Sequence, residues 1–88
     1  MADSGQITVT TAGTAVQGPA TGAYQVAIKA MAGNAGIVYV GNDAAADVTS
    51  ANGFELSAGE GVVVRKSLNA LWFDSAENGD KLCWLKLE

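Results

Sequence analysis

Short runs of alternating apolar and polar residues, interrupted by Gly and Asn, follow one another along the chain. In the clearest run, residues 23–31, Val26 and Ile28 alternate with Gln25 and Lys29. A helix would distribute Val26 and Ile28 around its circumference, whereas a strand places them on one face. The alternation therefore predicts a strand. The other predicted strands are Gln6–Thr11, Thr14–Gln17, Gly36–Gly41, Phe54–Leu56, Val62–Lys66, Leu71–Ser75 and Lys81–Leu87.

The spacing of these runs predicts the fold class. About seven or eight short strands, roughly ten residues apart and separated by turn residues, are typical of small β domains. We therefore expect an all-β fold, a small antiparallel sandwich or a jelly-roll-like barrel. The predicted organisation is a single domain over residues 6–88, preceded by a flexible N-terminal arm over residues 1–5. Within it, Asn42–Gly53 is the one segment in which a single helical turn is plausible.

Residues at four points of this pattern receive more specific predictions. Tyr24 continues the apolar face of the 23–31 strand, and Gly36–Gly41, apolar on both faces, is expected to be covered on both sides. Asn78–Gly79, between two apolar runs, is a strong hairpin signal. In the last run, Leu82 and Trp84 share one face, and Cys83, Leu85 and Leu87 share the other.

Length and charge narrow the classes of function. The 88 residues carry nine acidic and five basic side chains, a formal net charge of −4, and the basic residues are scattered along the chain. This distribution disfavours binding to nucleic acid, which needs clustered Lys and Arg. The N-terminus lacks the features of a secretory signal, and the uncharged run before Lys29 is too polar to cross a membrane. A core this small gives limited stability, which favours self-association.

Candidate chemistry is sparse. The chain has no histidine, which excludes the usual nucleophile–base triads, and its single cysteine, Cys83, is expected to be a small buried hydrophobe. Most carboxylates lie in expected turns, where solvated side chains are the ordinary outcome. We therefore expect no enzymatic activity, no catalytic residues and no cofactor.

Two loops could supply oxygen ligands to a hard cation, although neither has the spacing of a calcium-binding loop. Asp and Asn are also common turn residues because their side chains bond to nearby backbone. The prediction is therefore that no metal binds. The first loop contains Asn42, Asp43 and Asp47, and the second contains Asp74, Glu77, Asn78 and Asp80.

The aromatic residues could form a platform for sugars or pack inside the domain. A small core needs most of them. Trp72 and Phe73 are consecutive, so in a strand they point to opposite faces, and one ring points away from the core. That outward ring is a candidate for a subunit or partner contact. The residues considered for a platform are Tyr24, Tyr39, Trp72, Phe73 and Trp84.

Four segments together resemble a family of small virion proteins of tailed bacteriophages. They are "ITVTTAGTAV", "AIKAMAGNAGIVYVGN", "ANGFELSAGEGVVV" and "LNALWFDSAENGDKLCWL", which extend from about Ile7 to Leu87. The resemblance implies a capsid decoration (cement) protein. Such a protein is made in the host cytoplasm and resides in the virion. There it binds the major capsid protein on the outside of the head, often as a homotrimer, and bridges neighbouring capsid subunits.

The same segments place turns and corners. Gly36 and Gly41 bracket the "IVYV" strand, while Asn52–Gly53 and Ala58–Gly59 are expected to form turns that need a positive φ. Leu56 anchors the "FELSAGE" corner, where Glu60 can accept hydrogen bonds from turn amides. The turn-forming residues predicted here are Gly36, Gly41, Asn52, Gly53, Gly59, Asn78 and Gly79.

The predicted partner contacts combine the N-terminal arm, which would order on binding, with the outward aromatic ring. They are Ala2, Asp3, Ser4, Gly5, Gln6 and Trp72. An exposed edge strand could also pair with the capsid. Two other functions remain open. One is a tail, baseplate or head-fibre component that contacts the host surface, and the other is a small carbohydrate-binding module.

Overall fold

Eight β-strands form two four-stranded antiparallel sheets that pack against each other as a sandwich. The computed structural model describes residues 4–22, 24–42, 48–49 and 52–87. The all-β prediction is confirmed. The strands are β1 (Ser4–Val9), β2 (Val16–Gln17), β3 (Val26–Ala30), β4 (Val38–Asn42), β5 (Phe54–Leu56), β6 (Gly61–Val64), β7 (Leu71–Ser75) and β8 (Asp80–Lys86), with a 3-10 turn at Leu68–Ala70.

The chain changes sheet at most of its connections. Sheet A has the strand order β1-β8-β3-β6, and sheet B has the order β2-β7-β4-β5. Among consecutive strands, β4 and β5 are the one pair that are also neighbours in a sheet. Most of the connections therefore carry the chain over an end of the sandwich instead of forming hairpins.

The core lies between the sheets and follows the period-two alternation of the strands. Phe73 of β7 and Ile28 of β3 are fully buried at its centre, and Leu68 of the 3-10 turn closes one end. The buried cluster is Ile7, Val9, Val26, Ile28, Ala30, Val38, Val40, Leu56, Leu68, Leu71, Phe73, Leu82 and Trp84.

The predicted apolar face of β3 is correct for Val26 and Ile28 and wrong for Tyr24. Val26 is the first paired residue of the strand, opposite Lys86 of β8. Tyr24 precedes this pairing and is 71% exposed, because no neighbouring strand holds it on the core face. The prediction that residues 36–41 are covered on both sides holds for the strand itself, since Val38, Tyr39, Val40 and Gly41 are all buried.

The Asn78–Gly79 turn forms, but the hairpin prediction is wrong. Gly79 has the expected positive φ, +82°. However, β7 before the turn belongs to sheet B and β8 after it belongs to sheet A. The Gly79 N–H donates to the carbonyl of Val9 at 2.8 Å, and that of Ala76 donates to the carbonyl of Ile37 at 2.9 Å. The Ala76 bond continues the β4–β7 pairing of sheet B, whereas the Gly79 bond leads the chain into sheet A, where β8 pairs with β1.

The prediction for the Ala58–Gly59 corner is confirmed. Gly59 has φ +86°, and the Glu60 Oε1 accepts a 2.7 Å hydrogen bond from the Ser57 N–H. Leu56 is buried below the corner. The prediction that Gly36 and Gly41 lie on either side of the "IVYV" strand is wrong for Gly41. This residue lies inside β4 and not after it.

Gly53 is required for a different reason from the one predicted. Its φ is not positive, whereas a Cβ at this position would lie 2.7 Å from the Tyr39 Cβ and 2.9 Å from the Thr49 carbonyl oxygen. Asn52 forms the local turn by accepting a hydrogen bond from the Thr49 N–H at 2.8 Å. Gly53 thus permits close approach to β4. Most of the predicted helical turn in Asn42–Gly53 lies outside the described residues.

Gly53→Ala is expected to lower the free energy of unfolding by about 1–3 kcal/mol, because the added methyl overlaps Tyr39 and the Thr49 backbone. Gly33→Ala is the matched control, since a Cβ there meets nothing within 4 Å. Urea denaturation measures both variants. Equal midpoints for the two would contradict the close-approach explanation.

Candidate binding surface on the outer face of sheet A

An exposed apolar row crosses the outer face of sheet A. Ala27 of β3 pairs with Leu85 of β8 on one side and with Val63 of β6 on the other. These side chains point away from the core because their strand neighbours point into it. Val63 is 55% exposed and Leu85 51%, and Leu87 follows beside the row at 44%. Contiguous apolar side chains on a surface are typical of an interaction site.

Cations border this row. Lys29 lies two residues from Ala27 on the same face of β3, Lys81 lies on the same face of β8 as Leu85, and Arg65 directly follows β6. On the described strands of sheet A, no acidic side chain shares this outer face. We call the row with these three cations the basic face.

The two sheets differ in charge. Lys29 lies in β3, Lys81 and Lys86 lie in β8 together with the buried Asp80, and Arg65 and Lys66 follow β6. The charged residues in the described strands of sheet B are the acids Glu55 and Asp74. Among the described residues, cations therefore lie on the outer face of sheet A even though the formal net charge of the chain is −4.

Part of the predicted contact set lies at the edge of the basic face. Ser4 pairs with Leu85 and Gln6 with Cys83, so their side chains extend the outer face onto β1. Gly5 instead faces inward, where a Cβ would lie 3.0 Å from the Trp84 Nε1. Ser4 and Gly5 thus belong to β1, so the predicted arm is wrong at these two residues. Ala2 and Asp3 lie outside the described residues.

Trp72 is on the opposite side of the molecule. It lies on the outer face of sheet B, half-buried, between Gly41 of β4 and Gln17 of β2. Phe73 is fully buried, so the predicted division of the two rings between opposite faces is confirmed. The structure does not bring Trp72 together with Ser4 and Gln6.

Cys83 lies on the outer face and not in the core. It is half-buried, and its Sγ donates to the Lys29 carbonyl at 3.6 Å. The expectation of a core thiol is wrong because Trp84, the next residue in β8, occupies the core face. Two aromatic side chains are largely exposed, Tyr24 at 71% and Phe54 at 58%. Tyr24 precedes β3 of sheet A and Phe54 lies in β5 of sheet B, so they do not belong to one sheet.

Two acids of the second candidate cation loop, Asp74 and Asp80, accept hydrogen bonds from backbone N–H groups. The Asp80 carboxylate accepts from the Ala35 N–H at 3.0 Å and from the Gly36 N–H at 2.8 Å. The Asp74 Oδ1 accepts from the Gly13 N–H at 2.9 Å. Among the described residues, no three His, Cys, Asp or Glu side chains are grouped to hold a metal ion. Asp43 and Asp47 of the other loop lie outside the described part of the chain.

Asn78 also joins two loops through a hydrogen bond from its side chain to backbone. Its Oδ1 accepts from the Ala12 N–H at 2.8 Å and thereby ties the β1–β2 loop to the β7–β8 turn. On the other side, the Asn34 side chain accepts from the Lys81 N–H at 2.9 Å and donates to the Lys81 carbonyl at 2.7 Å. These polar side chains fix the loops at one end of the sandwich.

Sequence reasoning missed the basic face as a unit. The alternation in β8 already assigned Leu85 and Leu87 to the side away from Trp84, and it assigned Lys29 to the polar side of β3. The missing information was the pairing of β8 with β3 and of β3 with β6, which joins these positions into one surface.

Comparison of the chain with family models, with curated proteins and with solved structures finds no match. The resemblance to decoration proteins therefore stays a prediction. In the part of the chain that is described, no helix is long and apolar enough to cross a membrane.

Proposed function

We propose that the chain is a structural virion protein, a decoration protein that binds the major capsid protein on the outside of a bacteriophage head. The observation that supports a binding role is the basic face, an exposed apolar row bordered by cations. The virion itself is suggested by the sequence resemblance. In this proposal the protein works by attachment, with no catalytic step and no cofactor.

The basic face suits a protein partner with an apolar and acidic surface. Burial of Leu85, Val63 and Leu87 supplies the hydrophobic contribution, about 25 cal/mol for each Å² of apolar surface. Lys29, Lys81 and Arg65 at the border favour carboxylates on the partner and orient its approach.

Size and edge geometry agree with this mode of binding. The principal extents of 29 × 26 × 18 Å make each broad face comparable with the roughly 800 Å² that one partner contributes to a standard interface. In sheet A, β1 is an edge strand that pairs with β8 on one side. Its other edge can add a strand of the partner, next to Ser4 and Gln6.

In this proposal, many copies of the chain bind the same capsid shell and thereby bridge neighbouring capsid subunits. If the chain is a homotrimer, each trimer engages several capsid subunits, and contacts that are weak one by one become strong together. Sedimentation equilibrium of the isolated chain is expected to show trimers at micromolar concentration. A strict monomer would remove the trimer from the proposal while leaving the basic face to be tested.

The direct test is the location of the chain in phage particles. We expect the chain to be present on purified heads that still lack tails, with many copies on each head. Detection on tails or baseplates alone would favour the host-contact function. Glycan-array binding by the isolated chain would favour the carbohydrate-binding module.

Leu85→Asp is expected to weaken attachment to such heads by about tenfold or more, because it removes apolar burial and places a charge in the interface. Thr14→Asp is the control, since it adds the same charge at an exposed position of the β1–β2 loop. Occupancy on heads is measured by gel densitometry after sedimentation. Equal loss of occupancy for both variants would contradict the proposed face.

A further inference from the structure

A groove opens between the edges of the two sheets, away from the basic face. Sheet B ends at β5 and sheet A ends at β6, and the groove lies between these edge strands. Its volume is about 210 Å³. The residues that line it are Val40, Gly41, Phe54, Val62, Val64, Lys66 and Leu71.

The groove lies where apolar side chains on the core faces of β5 and β6 are incompletely buried. The inward side of β6 presents Val62 and Val64. Phe54 pairs with Val40 and therefore lies on the core face of sheet B, yet it is 58% exposed. Val62 and Val64 are only partly buried. Along this side, the described residues leave the core incompletely covered.

Two features of the groove indicate what it binds. Both flanking strands are sheet edges in the described part of the chain, because β5 pairs with β4 and β6 pairs with β3. Such edges bind extended peptide through main-chain hydrogen bonds. At one end, Lys66 is the charged member of an otherwise apolar lining. A carboxylate at that end therefore complements the charge of the groove.

The volume limits the size of the inserted group. An apolar cavity of about 150 Å³ holds a benzene ring, whereas sites for whole small-molecule ligands occupy about 300–1,000 Å³. At about 210 Å³ the groove takes one large side chain.

We propose that this groove binds an extended peptide segment of a protein partner. The segment inserts one aromatic or large aliphatic side chain between the sheets and carries an acidic residue beside it, toward Lys66. Lys66 already has an interaction within the protein, so the acidic group is expected to add only a modest contribution. This site is separate from the basic face and does not depend on the virion proposal.

The test is a titration of methyl-labelled protein with the N-acetylated, C-amidated peptide Thr-Asp-Phe-Thr-Thr, followed by NMR. We expect shifts of the Val62, Val64 and Val40 methyl resonances. Val63 provides an internal control, because it lies in the same strand and points to the other face. Replacement of Phe by Ser in the peptide is expected to weaken binding roughly tenfold or more.

Two protein variants separate the roles of shape and charge. Val62→Phe fills the groove and is expected to abolish the shifts, with Val63→Phe as the control that leaves them unchanged. Lys66→Gln is expected to weaken binding by about two- to fivefold for the Asp peptide, and not for the same peptide with Asn.

Three results would overturn the proposal. The first is equal binding of the Phe and Ser peptides, and the second is a methyl shift at Val63 as large as that at Val62. The third is a shift of the groove methyls on dilution without peptide, together with concentration-dependent sedimentation, which would assign the groove to a second copy of this chain.

Discussion

Phe73→Ala is expected to lower the free energy of unfolding by about 3–5 kcal/mol. Phe73 is fully buried in β7, between Val16 of β2 and Val40 of β4. Truncation removes a ring from the middle of the core and leaves a cavity that the paired strands cannot close. A domain of 88 residues has a total stability of roughly 4–13 kcal/mol, so the variant is close to unfolding. Urea denaturation measures the loss.

Two further variants serve as a milder core substitution and as a surface control for Phe73→Ala. Phe73→Leu keeps most of the volume and is expected to cost about 1–2 kcal/mol, which remains measurable if Phe73→Ala does not fold. Val63→Ala removes an exposed side chain and is expected to change stability by less than about 0.5 kcal/mol. A Phe73→Ala loss no larger than that of Val63→Ala would show that the core does not lie between these sheets.

Asp80→Ala is expected to lower the free energy of unfolding by about 2–4 kcal/mol. The buried carboxylate accepts two backbone N–H groups, those of Ala35 and Gly36, and its removal leaves both donors without their acceptor. The clamp joins the start of β8 to the loop before β4, across the end of the sandwich. Its loss therefore loosens the connection between the sheets.

Glu77→Ala is the matched control for Asp80→Ala, since Glu77 is an exposed acid in the same connection. Its removal is expected to change stability by less than about 0.5 kcal/mol. Asp80→Asn should fall between the two, because an amide has one acceptor oxygen where the carboxylate has two. Equal denaturation midpoints for Asp80→Ala and Glu77→Ala would contradict the clamp.

Local alternation predicts most of the strands and most of their buried faces. Phe73 and Trp72 divide between opposite faces because consecutive residues in a strand must, and the same rule assigns Leu82 and Trp84 to the core. Tyr24 is the exception to this rule. The apolar pattern extends N-terminal to Val26, the first paired residue of β3, and alternation alone does not mark where pairing begins.

The arrangement of the strands could not be predicted from local signals. Asn78–Gly79 is a hairpin dipeptide, and its glycine does adopt the expected φ. The turn nevertheless crosses between sheets, because Gly79 bonds to Val9 and Asp80 bonds to Gly36, residues far away in the sequence. Gly53 illustrates the same limit, since close approach to Tyr39 is a property of the folded chain.

The candidate site was predicted only at its edge. The sequence predicts Ser4 and Gln6 as partner contacts, and the structure places them in β1 beside Leu85 and Cys83. The basic face itself depends on the register among β8, β3 and β6. Trp72 met the sequence criterion of an outward ring and lies on the opposite sheet, since outward directions differ between the sheets of a sandwich.

An image reconstruction of a phage head that carries this chain tests the binding face most directly. We predict that the outer face of sheet A, with Leu85, Val63 and Lys29, lies against the capsid shell, and that Trp72 on sheet B is turned away from it. A reconstruction in which sheet B contacts the shell and Leu85 remains in solvent would contradict the proposed face.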